Sequence, residues 1–69
     1  QENDWQRLRA LREQAGETQK ALAAVLDVSE VQISYLESGK RTTSLEKFVL
    51  LCEHYQVSAD YLLGLREEP

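Results

Sequence analysis

Residues 18–41 read TQKALAAVLDVSEVQISYLESGKR, and this stretch decides the fold. Leu22, Ala23 and Leu26 recur at i, i+1 and i+4, so at about 3.6 residues per turn they share one face of a first short helix. That face has to be buried. Asp27 stands where the chain must reverse, and a short polar side chain tolerates left-handed backbone angles better than most. Ser29 opens a second helix as its N-cap, and Gln32, three residues on, completes a capping box that satisfies two backbone donors. Gly39 closes that helix. The pattern predicts helix, turn and helix over about residues 18–38, then a loop carrying Lys40 and Arg41.

The second helix carries the functional argument. At roughly 100° per residue, Ile33, Leu36 and Glu37 cluster on one side, while Val31, Ser34, Tyr35 and Ser38 point the other way. One face packs and the other is offered. A helix backed by a short partner, with its N-terminus and outer face accessible, has the geometry that enters a DNA major groove.

With these residues in register, the stretch resembles the helix-turn-helix of the Cro/CI family of phage and bacterial transcriptional regulators, also called xenobiotic-response-element-like. That family places TQ, LA, L, VS, IS, E and GK at these spacings. RLRALR at 7–12 is similar to the family's first helix, Ser44-Leu45-Glu46 to its fourth and VSADYLLG at 57–64 to its fifth, so the resemblance covers almost the whole chain. It implies an all-α, compact five-helix, lambda-repressor-like domain. It further implies sequence-specific binding of double-stranded DNA within a transcriptional regulator, with repression ahead of activation. By position, base-facing side chains fall at Ser29, Glu30, Val31, Ser34 and Tyr35. Phosphate contacts fall at Thr18, Gln19, Lys20, Gln32, Ser38, Lys40 and Arg41, so that the Thr18-Gln19 start and the 39–41 loop clamp one DNA backbone. The matching Arg12 and Glu37 are expected to form a structural ion pair. A homodimer is expected too, through Tyr61, Leu62, Leu65 or Leu50.

Several of these positions carry a second reading. Many relatives place Gln, Arg or Ser where this chain has Glu30 and Val31, so a bidentate Gln-to-adenine or Arg-to-guanine contact is missing there. Glu30 suits a cytosine amino group and Val31 a thymine methyl, but Glu30 equally complements the positive end of the helix dipole. Gln32 is divided between the capping box and the DNA, and Tyr35 between sugar-phosphate and packing at the helix edge. Backbone amides and cations after Gly39 suit a phosphate, whereas loop cations are often only solvated.

The first helix is expected to start near the caps Asn3 or Asp4 and to end near Gly16, with Trp5, Leu8, Leu11 and Ala15 as its buried stripe. Arg12 projects only about 20° from Trp5, and a guanidinium inside an apolar stripe needs a partner. Arg7 and Arg9 read as solvated, Arg9 with a phosphate option. Ser44 should start a fourth helix with a core stripe of Leu45, Phe48, Val49, Cys52 and Tyr55, flanked by Leu51 and with Leu50 outward. Gln56 stands where the family usually has Gly, which questions the sharpness of that turn. Ser58 and Gly64 bracket a last short helix, and residues 65–69 read as a tail or the start of a linker.

Length bounds all of this. A chain of 69 residues that is 42% apolar has room for one domain and one core. No apolar run approaches the ~20 residues of a membrane span. The missing initial Met suggests an excised piece of a longer protein, and a lone Cys52 fits a reducing cytoplasm. The net charge of −4 and the pI near 4.8 oppose a polyanion at long range. Between Gln19 and Thr43, however, three cations face three carboxylates, and the excess acid lies elsewhere. Catalysis finds no support: His54 has no second His or Cys for a metal or thiol site, and Glu13 and Glu17 have no cleft. No cofactor or metal site is expected. The second function hypothesis is a protein-interaction module that keeps this fold but has lost DNA binding.

Overall fold

The computed structural model describes residues 5–69, with side chains from Arg7 onward. It contains five helices: α1 (Trp5–Gln14), α2 (Gln19–Leu26), α3 (Glu30–Glu37), α4 (Leu45–Tyr55) and α5 (Ala59–Leu62), with no strand among the described residues. Any cap at Asn3 or Asp4, and the side chain of Trp5, lie outside them.

Hydroxyl caps place the helix starts. Thr18, Ser29, Ser44 and Ser58 each accept a bond from the backbone N–H three residues on, at 3.0, 3.2, 3.2 and 3.1 Å. Each such cap contributes about 1 kcal/mol. The ends are equally uniform. After every helix one residue takes a left-handed conformation, namely Gly16, Asp27, Gly39, Gln56 and Gly64. The following amide then reaches back to close a Schellman turn, as in Glu17 N–H to Arg12 O at 3.0 Å and Val57 N–H to Cys52 O at 3.0 Å. The sharp turn questioned at Gln56 therefore forms, with φ at +55°. An L side chain pays for that conformation with roughly 1–2 kcal/mol of strain.

The core is Leu8, Leu22, Ala23, Leu26, Ile33, Leu36, Leu51 and Leu62, with Leu11, Val28, Phe48, Cys52, Tyr55 and Val57 packed around it. Helix α2 packs on α3, α1 on α3 and α5, and α4 on α2 and α5. The α4 stripe differs from expectation. Leu51 is fully buried, while Leu45 is 76% and Val49 45% exposed. Residues 48, 51, 52 and 55 make the same i, i+3, i+4, i+7 pattern as 45, 48, 49 and 52, and docking on α2 and α5 selects the former. Ala15 is exposed because α1 stops at Gln14. For the same reason Glu13 and Glu17 do not share a helix edge.

Two further expectations are corrected. Leu62 is 1% exposed and fills the core, so it cannot serve as an interface residue. Arg7 is not merely solvated: Nη1 donates to the Tyr61 carbonyl at 2.7 Å and the Arg66 carbonyl at 2.5 Å, and the guanidinium stands 4.6 Å from the centre of the Tyr61 ring. The stretch after α5 also touches the fold, where the Ser58 N–H donates to the Pro69 carbonyl oxygen at 2.9 Å.

Candidate nucleic-acid interface

Helix α3 is gripped from behind by a buried polar network. Arg12 Nε and Nη2 donate to the two oxygens of Glu37 at 2.5 and 3.1 Å, with side-chain exposures of 11% and 5%. Nη1 donates to the Glu17 carbonyl at 2.8 Å, and Gln19 Nε2 adds a third bond to Glu37 at 3.0 Å. The expected Arg12–Glu37 pair is thus present. Hydrogen bonding to Glu37 raises the Arg12 pKa against the opposing effect of burial, so the guanidinium stays charged. A buried charge needs such satisfaction, and no buried side-chain nitrogen or oxygen among the described residues lacks a partner.

The opposite face of α3 is open. Ser29, Glu30, Val31, Ser34, Tyr35 and Ser38 are all exposed, while Ile33, Leu36 and Glu37 are buried. The capping box is complete: Ser29 Oγ accepts from Gln32 N–H, and Gln32 Oε1 accepts from Ser29 N–H at 3.0 Å. The box uses only the oxygen of the Gln32 amide, so both hydrogens of its NH₂ remain for an outside acceptor. Glu30 occupies the first turn of α3, where its carboxylate meets the positive helix end.

At the start of α2, Thr18 is committed to its cap, Lys20 is exposed, and Gln19 is half-buried against Glu37. One Gln19 amide hydrogen is engaged and the other is left over. Beyond α3, the backbone amides of residues 39–41 are not available to a phosphate. Gly39 N–H donates to Leu36 O at 3.0 Å, and Lys40 and Arg41 N–H donate to Tyr35 O at 2.9 and 3.4 Å. The Schellman turn consumes them, and only the side chains of Lys40 and Arg41 reach solvent. Ser38 Oγ likewise donates inward, to Tyr35 O at 3.1 Å. The Arg41 guanidinium lies 5.4 Å from the centre of the Tyr35 ring, within cation–π range.

A cleft of about 220 Å³ separates Gln32 and Tyr35 from the loop after α3 and brings Arg41 together with Lys47 of α4. Lys47 was not singled out in the sequence, because nothing local ties α4 to the reading helix. Its position three residues after the Ser44 cap was the available signal. No group of three or more His, Cys, Asp or Glu residues that could hold a metal ion occurs among the described residues.

The sequence profile of the helix-turn-helix family matches residues 8–62. The chain is 42% identical over 55 residues to the HTH-type transcriptional regulator PrpR of Mycobacterium tuberculosis, covering 80% of this chain and 11% of that protein. It is 36% identical over 64 residues to the uncharacterised HTH-type transcriptional regulator YobD of Bacillus subtilis, covering 93% of this chain and 57% of that protein. It therefore spans about a tenth of one relative and just over half of the other. The P22 c2 repressor, solved in complex with a synthetic operator, superposes with a TM-score of 0.87 at 32% identity, covering 96% of this chain and 100% of that one.

Proposed function

Because the chain belongs to the Cro/CI-type helix-turn-helix family, we propose that it is a single domain that binds double-stranded DNA sequence-specifically, as the reading module of a transcriptional regulator, a repressor before an activator. The observation that carries this is the open α3 face, held from behind by the Arg12–Glu37–Gln19 network and flanked by Gln19 and exposed Lys20 on α2 and by exposed Lys40 and Arg41 in the loop after α3. Ser29, Glu30, Val31, Ser34 and Tyr35 face the bases. Gln19, Lys20, Gln32, Lys40 and Arg41 face the phosphates, with Gln19 and Gln32 supplying their spare amide hydrogens and Thr18 the hydroxyl hydrogen its cap does not use, whereas Ser38 spends its own on the Tyr35 carbonyl. Two copies occupy half-sites about one helical turn apart, joined through exposed apolar side chains such as Leu50 and Leu65, 40% and 73% exposed, with Tyr61 at the edge. The domain performs no catalysis and acts in the cytoplasm. No helix among the described residues is long and apolar enough to cross a membrane.

Selection of bound duplexes from a random pool at low salt, then titration of the winner, tests this reading. An enriched, palindromic motif is expected. Lys40→Ala and Arg41→Ala should weaken all sequences alike and reduce the salt slope by about 0.9 per phosphate lost. Glu30→Ala should change preference more than affinity. A folded protein that enriches nothing, at concentrations high enough to dimerise, would point instead to an interaction module. The acidic Glu30 at the reading position and the net −4 charge favour that second reading.

A further inference from the structure

Glu17 lies in the short connection between α1 and α2, outside every set of residues assigned above to DNA. Its carboxylate is nonetheless held twice by the C-terminal end of α4: Tyr55 Oη donates to Oε1 at 2.6 Å, and His54 Nε2 meets Oε2 at 2.7 Å. These partners are 38 and 37 residues away in sequence, and the Glu17 and His54 side chains are only 22% and 29% exposed. The main chain of Glu17 is fixed as well. Its N–H donates to the Arg12 carbonyl at 3.0 Å, and its own carbonyl accepts from Arg12 Nη1 at 2.8 Å. Arg12 holds Glu37, and Glu37 holds the Gln19 amide. The two residues flanking the Thr18 cap are therefore pinned to different parts of the fold, Glu17 to α4 and Gln19 to α3.

We propose that Glu17 is a positioning residue for Gln19: by tying the α1–α2 connection to Tyr55 and His54, it fixes Arg12 and Glu37 and so sets where the spare Gln19 amide hydrogen stands. The inference rests on the reading of Gln19 as a phosphate contact. Gln19 makes its internal bond to Glu37 Oε1, the oxygen that also accepts from Arg12 Nη2. A shift of Arg12 is thus transmitted through a single shared atom. Hydrogen bonds to Glu17, from Tyr55 first and His54 after it, hold its carboxyl below its ordinary value against the opposing effect of burial, so it stays a carboxylate at neutral pH.

A double-mutant cycle on duplex binding separates positioning from general stabilisation. Glu17→Ala should weaken binding of the selected duplex about 5–10-fold, the scale of one misplaced charge-assisted bond. Its preferred sequence should stay unchanged. In a Gln19→Ala background the same substitution should change affinity less than about twofold. Multiplicative losses in the double variant would overturn the proposal. A second arm uses the folded protein without DNA. The Gln19 side-chain NH₂ resonances should shift and exchange faster in Glu17→Ala, and unchanged resonances would overturn positioning whether or not DNA binds. Should Glu17→Ala fail to fold, Tyr55→Phe removes one anchor and is expected to move the same resonances by a smaller amount, with no movement counting against the proposal. If the wild type binds no duplex while the Gln19 resonances respond, the DNA reading fails and the positioning network stands.

Discussion

Replacing Arg12 by Met keeps the aliphatic volume but strands Glu37, whose side chain is 5% exposed and whose remaining partner is the neutral Gln19 amide. Removing one member of a buried, hydrogen-bonded ion pair costs about 3–5 kcal/mol, because the carboxylate left behind has lost its water as well as its counter-charge. A domain of 69 residues has roughly 3–10 kcal/mol in total at typical values per residue. The single substitution should therefore bring the protein to the edge of unfolding at room temperature. Arg12→Met combined with Glu37→Met removes both charges and fills the site with apolar atoms. Urea denaturation should find this double variant within about 1 kcal/mol of wild type. Its stability would then exceed that of either single variant, with a coupling of about 3 kcal/mol or more. The reasoning is refuted if Arg12→Met loses less than about 1 kcal/mol, or if the two losses simply add. The double variant should also bind DNA less well although folded, because Gln19 no longer has Glu37 to stand against.

Other consequences are smaller and separable. Gln56→Gly relieves a left-handed φ of +55° and should raise stability by about 0.5–1 kcal/mol, read as a melting point several degrees higher; an unchanged melting point would mean that the turn is not strained. Because the Glu17 pKa is lowered in the folded state, its contribution is present above the unfolded carboxylate value and lost as pH falls through the folded one. The urea midpoint of wild type should accordingly drop more steeply between about pH 5 and pH 3 than that of Glu17→Gln, and parallel curves would deny the effect. Leu50→Glu and Leu65→Glu should leave stability within about 0.5 kcal/mol while shifting sedimentation equilibrium towards monomer, whereas Leu62→Ala should cost about 2–5 kcal/mol as a core deletion.

What the sequence revealed was local, and what it hid was not. The hydroxyl caps at Thr18, Ser29, Ser44 and Ser58 were readable because each works across three residues. Arg12 was readable because helical projection put a charge into an apolar stripe, a situation with few solutions. The face of α4 was not. Leu45, Phe48, Val49, Leu50, Leu51, Cys52 and Tyr55 surround the helix with apolar positions, and two equally regular stripes pass through them. The choice between them belongs to α2 and α5. The anchoring of Glu17 by Tyr55 and His54, and of Arg7 by Tyr61 and Arg66, joins residues more than thirty positions apart and leaves no local trace. At the Lys40-Arg41 loop the sequence misled in a different way. The Gly that signals the turn also signals the Schellman bonds that take up the amides expected to greet a phosphate.

Burial also changes the electrostatics of the reading surface. By sequence, Lys20, Lys40 and Arg41 are balanced by Asp27, Glu30 and Glu37, but Glu37 is withdrawn into the interior and neutralised by Arg12. Three exposed cations then face two exposed carboxylates, and Lys47 joins the cationic side from α4. At about 0.1 M salt the Debye length is near 10 Å, so a phosphate on α3 senses this local excess and little of the distant acid. At about 0.01 M salt the length grows to near 30 Å, and the whole charge of −4 opposes the DNA. Log affinity against log salt should therefore be linear at moderate salt, with a slope of about −0.9 per phosphate engaged, and should flatten at the dilute end. Wild-type affinity measured across that range tests the point. A single straight line down to the lowest salt would mean that the remote carboxylates exert no repulsion, and the separation of local from total charge drawn here would be wrong.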